Sequence, residues 1–145
     1  MIVLDTNVVS ELMRSDPLER VITWTDAQPA VELFLTAVTL AELLRGIGRL
    51  PDGRRRSTLA NQLDEMVAED FERRILSFDE VAAAHYADTV VQRERAGRPI
   101  STADAQIAAT CRSHGAIIAT RNVDDFSDTG IVMVDPWSIH GRSTD

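Results

Sequence analysis

Lysine is absent from all 145 residues, so every one of the 15 basic side chains is an arginine. Any mechanism that needs a catalytic lysine is thereby excluded. Cysteine occurs once, at Cys111, which rules out an intrachain disulfide and a cysteine zinc site. No apolar run approaches the roughly 20 residues of a membrane-spanning helix. Asp5 and Glu11 interrupt the first apolar stretch, so no signal peptide is legible, and a cytoplasmic protein with no membrane partner is the expectation. Positive charge is scarce as well. The 15 arginines face 23 acids, a net charge of −8. That excludes a general polyanion binder; attraction to nucleic acid would have to come from local arginine clusters or from metal ions.

What is there is an ordinary globular composition, 44% hydrophobic and 26% charged, long enough for one domain with a sizeable core. A single domain over 1–140 is expected, with a frayed tail over 141–145. The chain is organised around Ile2-Val3-Leu4-Asp5-Thr6-Asn7, a buried strand running into polar residues. Val8, Val9, Leu12 and Met13 then predict a short helix, and Leu18, Val21, Ile22 and Trp24 a second, closed near Gln28-Pro29. Further strands are predicted over 32–36, 75–77, 116–120 and 131–134. Helices are predicted over 39–50, from Arg54 onward behind the breaker Pro51-Asp52-Gly53, over 79–96 and over 101–113. Strands alternating with helices imply a parallel α/β sandwich. In such sheets ligands bind beyond the carboxyl ends of the strands, which is where Asp5 falls.

Three acids follow a hydroxyl residue at capping-box spacing: Glu42 after Thr39, Asp104 after Ser101 and Glu80 after Ser77. Capping alone would account for each, and it stays open as a reading of Glu42 and Asp104. Their combination with Asp5 is more specific. If the strand ends share one sheet edge, these acids converge there. At about 4 Å and an effective dielectric of 20, each carboxylate pair costs roughly 4 kcal/mol, so a cation must offset the repulsion or some acids stay protonated. Oxygen donors without histidine or cysteine favour Mg²⁺ or Mn²⁺ over zinc.

The motifs Leu4-Asp5-Thr6-Asn7, Ala41-Glu42-Leu43, Ala103-Asp104-Ala105-Gln106-Ile107-Ala108, Thr120-Arg121-Asn122 with Asp125-Phe126, and Pro136-Trp137 occur in one order over nearly the whole chain. In this the chain resembles a PIN domain, and specifically the VapC toxins of toxin–antitoxin pairs. The resemblance implies a PIN-like three-layer sandwich, a mostly parallel central sheet surrounded by helices. It also implies a metal-dependent endoribonuclease that acts as the toxin of a type II system and cleaves RNA to arrest growth. Asp5, Glu42 and Asp104 would hold Mg²⁺, with Mn²⁺ as substitute. Asp125 would be the fourth catalytic acid, with Asp124 as its alternative and Asn122 where some members carry aspartate. A VapB-type antitoxin and a second copy of the chain are the implied partners, and the antitoxin tail would place a basic residue among the acids.

Thr6, Asn7, Thr120, Asn122, Arg45 and Arg121 are candidate substrate contacts. Thr6 and Thr120 are equally readable as caps at strand ends. Arg45, Arg49, Arg54 to Arg56, Arg93, Arg95 and Arg98 could track an RNA backbone, or could be solvated arginines pairing with the acids. None of His85, His114 and His140 is needed for the chemistry. A haloacid-dehalogenase-type phosphotransferase would need an acid where Asn7 stands, and both it and a receiver domain would need a lysine. Two other readings stay open: a DNA-directed PIN nuclease, and a catalytically silent PIN-like binding module.

Overall fold

A computed structural model describes residues 1–138. The expected tail over 141–145, and His140, lie outside the described residues. β1 (Ile2–Leu4) leads into α1 (Thr6–Leu12) and α2 (Glu19–Asp26). A single 3-10 turn at Ala30–Glu32 precedes β2 (Leu33–Thr36). α3 (Ala37–Gly48) follows without a loop, then α4 (Arg54–Glu65), whose last turn widens over Met66–Asp70. β3 (Ile75–Leu76), α5 (Glu80–Arg95), α6 (Thr102–His114), β4 (Ile117–Ala119), α7 (Val123–Phe126) and β5 (Met133–Val134) complete the chain.

The five strands form one sheet in the order β3-β2-β1-β4-β5, parallel throughout. The three-layer expectation holds, and side-chain alternation shows how. Ile2, Leu4, Leu33 and Leu35 point to one face, where they meet Val8, Val9, Val21, Leu43 and Leu63 from α1 to α4. Val3 and Ile118 point to the other, against Ile107, Ala108 and Cys111 of α6 and Phe126 of α7. α5 lies along α6 on that side. Small residues in α6 (Ala105, Ala108 and Ala109, all fully buried) let it sit close to its neighbours. Cys111 is fully buried there, and burial pushes its thiol up to about 12, an inert packing residue.

The chain leaves β1 toward β2 and β3 on one side and returns to β4 and β5 on the other. This reversal is a topological switch point, and the crevice beyond the strand ends opens there. Asp5 leaves β1 at that edge, and Thr120 leaves β4 beside it. The Asp5 N–H donates to the Ala119 carbonyl at 2.9 Å, locking the two strand ends together. Among the described residues no helix is long and apolar enough to cross a membrane.

Candidate active site

The caps decide which acids are structural. Thr36, not Thr39, caps α3: its Oγ1 accepts the Thr39 N–H at 3.0 Å. Thr39 is therefore three residues inside the helix and fully buried, and Glu42 lies three further on. The capping-box expectation for Glu42 is corrected, because the helix starts directly at the end of β2 with no intervening residue. At Ser77 the expectation also fails. Asp79 is the cap, its carboxylate accepting the Ala82 N–H at 3.0 Å, and Glu80 is merely the first helical residue. Only Ser101 caps as expected, accepting the Asp104 N–H at 3.2 Å.

α1 splits into two faces. Val8, Val9 and Met13 are buried in the core. Asn7, Ser10, Glu11 and Arg14, at spacings of three, four and seven, line a cleft of about 470 Å³. Asp5, Thr6, Glu42, Asp104, Arg121, Asn122 and Trp137 complete its lining. The sheet edge thus brings together the three acids of the expected metal set.

Asp5 is 4% exposed and heavily bonded. Its Oδ1 accepts the Thr6 N–H at 2.8 Å; its Oδ2 accepts the Thr120 hydroxyl at 2.8 Å and the Asn7 amide at 3.2 Å. A carboxylate offers about four lone-pair positions, so one is left for a ligand. Burial pushes the Asp5 carboxyl up to about 6 against the bonds from Thr120 and Thr6, and the charges of Asp104 and Glu42 add to the rise. Asp104 is half-buried on the first turn of α6. Its pKa is also raised, first by burial and then by Asp125 and Glu42, while a hydrogen bond from Ser101 and the charge of Arg93 oppose the rise. Glu42 is aimed by Thr6, whose hydroxyl donates to Oε1 at 2.7 Å. Thr6 and Thr120 therefore serve the carboxylates directly. Asn7 bridges α1 to the loop after β4, its Oδ1 accepting the Arg121 N–H at 3.2 Å. The Thr120 hydroxyl oxygen accepts the Asn122 N–H at 3.0 Å.

Asp125 is exposed and does not line the cleft, yet its charge reaches Asp104; Asp124 is exposed with no such influence. Arg121 lies over the Trp137 ring, 5.5 Å from its centroid. Arg45 points to solvent away from the cleft, so its expected grouping with the acids does not occur. Spacing on a helix cannot tell which face meets the cleft, and Arg45 lies on the outer one. Arg93 and Arg98 are engaged by protein groups and do not form a free basic track. Glu11 was not anticipated. It is 6% exposed and takes bonds from Arg14 at 3.1 Å and from the Leu18 N–H at 3.4 Å. The polar stripe along α1 was the signal that could have found it.

All metal donors on offer are oxygens. Among the described residues no three acid, histidine or cysteine side chains close around a single point. An open carboxylate edge of this kind fits Mg²⁺, which keeps several waters and uses one or two carboxylates with substrate phosphates instead of a protein cage. Beside Glu42 a second, larger groove of about 1050 Å³ runs between α1, α3 and α4. Its lining includes Met13, Leu43, Ile47 and Leu59, with Arg54 and Arg55 at the rim.

The PIN domain family model matches residues 2–132. The chain is 42% identical over 137 residues to VapC ribonuclease Y4jK of Sinorhizobium fredii, covering 94% of this chain and 98% of that protein. It is 39% identical to toxin FitB of Neisseria gonorrhoeae over 94% of this chain and 99% of that one. The solved structure of FitAcB from Neisseria gonorrhoeae superposes with a TM-score of 0.90 at 38% identity, covering 96% of this chain and all of that one.

Proposed function

The chain belongs to the PIN-domain family, and from that membership we propose that it is a metal-dependent endoribonuclease, the toxin of a type II toxin–antitoxin pair. The observation that carries the chemistry is the convergence of Asp5, Glu42 and Asp104 on one cleft at the switch point of the sheet, with Asp5 strained by burial and by the other two. A cation offsets that strain by favouring the ionised carboxylates. Asp5, Asp104 and Glu42 would hold Mg²⁺ or Mn²⁺, with Asp125 the fourth acid. A divalent cation there supplies polarisation of the scissile phosphate and easier deprotonation of water.

The protein's own groups do the rest. Thr120, Thr6 and Asn7 fix Asp5 so that one lone pair faces the cleft. Thr6 ties down Oε1 of Glu42 and leaves Oε2 to take a proton from the attacking water. Arg121 and Asn122, on the cleft rim, bind the RNA backbone; Trp137 behind Arg121 holds the guanidinium in place by a cation–π contact. With lysine absent, arginine is the permanently charged basic side chain available to phosphate.

The groove between α1, α3 and α4 supports an antitoxin partner. It has an apolar floor of Met13, Leu43, Ile47, Leu50 and Leu59 among polar residues, abuts the acid cleft through Thr6 and Glu42, and would lead a bound segment's basic side chain toward the acids. A homodimer is part of the same reading. On the faces available to a second copy, Leu44 of α3 is 51% exposed, whereas Leu63 is buried and Leu12, Leu40 and Leu59 pack against the core. A cytoplasmic setting goes with an RNA target.

Purified protein is expected to cut RNA, to stop in EDTA and to resume with Mg²⁺ or Mn²⁺. Full cleavage in EDTA refutes the metal; cleavage of single-stranded DNA but not RNA favours the DNA-directed alternative. Co-purification with the product of the adjacent reading frame tests the antitoxin, and light scattering tests the dimer.

A further inference from the structure

Arg93 stands apart from the other arginines. It lies in the last turn of α5 and is 5% exposed. Among the described residues it has no carboxylate within ion-pair distance. Its guanidinium donates to three main-chain carbonyls instead: Nε to Arg98 at 2.7 Å, and Nη1 to Asp125 at 3.1 Å and Ser127 at 2.8 Å. Burying a guanidinium without a counter-charge is expensive, and stapling two loops does not require it. The three carbonyls belong to the two segments that flank the acids. Arg98 opens the connection into α6, which carries Asp104. Asp125 and Ser127 belong to α7 and its exit. Arg98 holds the same exit from outside, donating to Asp128 at 2.6 Å and to the Ser127 hydroxyl at 2.7 Å.

We propose that Arg93 is a positioning residue of the active site: its planar fork ties the α5–α6 connection, which leads to Asp104, to α7, which carries Asp125, and so fixes the two acids relative to each other. The inference rests on the nuclease reading. Two carboxylates near each other repel, and α7 is only four residues long. Left to itself such a segment would carry Asp125 away from Asp104. The fork resists this because its donors point in fixed directions at carbonyls of both segments; an ammonium cannot reproduce that geometry. The buried charge also opposes the rise in the Asp104 pKa.

The test uses the intact chain and Mn²⁺ as probe. Arg93→Lys keeps the charge and loses the fork. It is expected to weaken Mn²⁺ binding, measured by calorimetry without RNA, by about 10-fold, the low end for groups that orient metal ligands. It is also expected to lower kcat on RNA by a similar factor with KM little changed. Amide exchange should rise over 123–128 while β1 and β4 stay protected. In an Asp125→Asn background the same substitution should leave Mn²⁺ affinity unchanged, since the residue acts through Asp125. Arg98→Ala, which loosens the segment from its exposed side, should weaken Mn²⁺ binding in the same direction. Unchanged affinity in both variants overturns the proposal. So does an equal loss from Arg93→Lys with and without Asp125, which would make Arg93 a structural staple. Wild-type protein that neither binds Mn²⁺ nor cleaves RNA overturns the nuclease reading, and this inference with it.

Discussion

Asp5→Asn separates activity from stability, and its sign reverses with pH. The Asp5 carboxyl sits at about 6 in the fold against 3.8 ordinarily, chiefly because it is buried. Below about pH 3.8 the group is protonated in both folded and unfolded chains and contributes nothing. As pH rises toward 6 the unfolded chain ionises first, so stability falls. Above pH 6 the loss is complete, about 3 kcal/mol at roughly 1.4 kcal/mol per decade. Asparagine has the same outline and no charge, so it escapes this loss. It keeps an acceptor for the Thr6 N–H but sets an NH₂ against the Asn7 amide, and the Thr120 hydroxyl must turn. That costs about 1–2 kcal/mol, the scale of a hydrogen bond to a charged group. The net expectation in EDTA is a variant about 1–2 kcal/mol more stable than wild type at pH 7.5 and less stable at pH 4. For a chain of this size that is a rise of about 3–6 °C at pH 7.5. Mg²⁺ should raise the wild-type melting temperature and barely move the variant, while RNA cleavage is lost. The assay is thermal melting of both proteins at pH 4, 5.5 and 7.5, with EDTA and with Mg²⁺. A variant that melts below wild type by the same margin at every pH would refute the reasoning, because Asp5 would then carry no strained charge.

Asp104→Asn should also abolish cleavage, with a smaller pH-dependent gain than Asp5→Asn because Asp104 is less buried; parallel melts compare the two. Thr6→Val removes the bond that aims Glu42 and should cut kcat roughly 10-fold, leaving RNA binding nearly intact; steady-state kinetics separates the two effects. Thr36→Ala deletes the α3 cap and should cost about 1 kcal/mol in denaturant unfolding. Gly46 lines the apolar groove with open space around its Cβ position. Gly46→Gln should therefore leave the fold at least as stable, since glycine inside a helix is unfavourable, yet weaken co-purification with the antitoxin.

Much of the candidate site was legible because Asp5, Glu42 and Asp104 sit where local pattern is strongest: a strand end and the first two turns of helices. The capping readings went wrong by small offsets with large consequences. Thr36 and Thr39 are both hydroxyl residues at the same junction, and which one caps depends on where β2 releases the chain. That three-residue shift takes Glu42 out of a capping position and frees it for the cleft. Glu11 was overlooked for a related reason. An acid in a polar helical stripe looks solvated until α1 is packed with that stripe turned toward the sheet edge.

By itself the sequence determined the class of fold, the alternation of strand and helix, and the oxygen-only character of the acids proposed as metal ligands. These follow from apolar periodicity and residue type, which are local properties. It also determined what chemistry was absent, since missing lysine and paired cysteine cannot be supplied by folding. Only the tertiary structure decided the strand order that puts β1 beside β4 and thereby Asp5 beside Thr120. It alone separated arginines of identical type into a buried clasp at Arg93, a cleft rim at Arg121 and a solvent-facing side chain at Arg45. It alone raised the Asp5 carboxyl toward neutrality. Burial, long-range pairing and the field of distant charges depend on residues more than a hundred positions apart meeting at one edge, and no window of sequence contains that information.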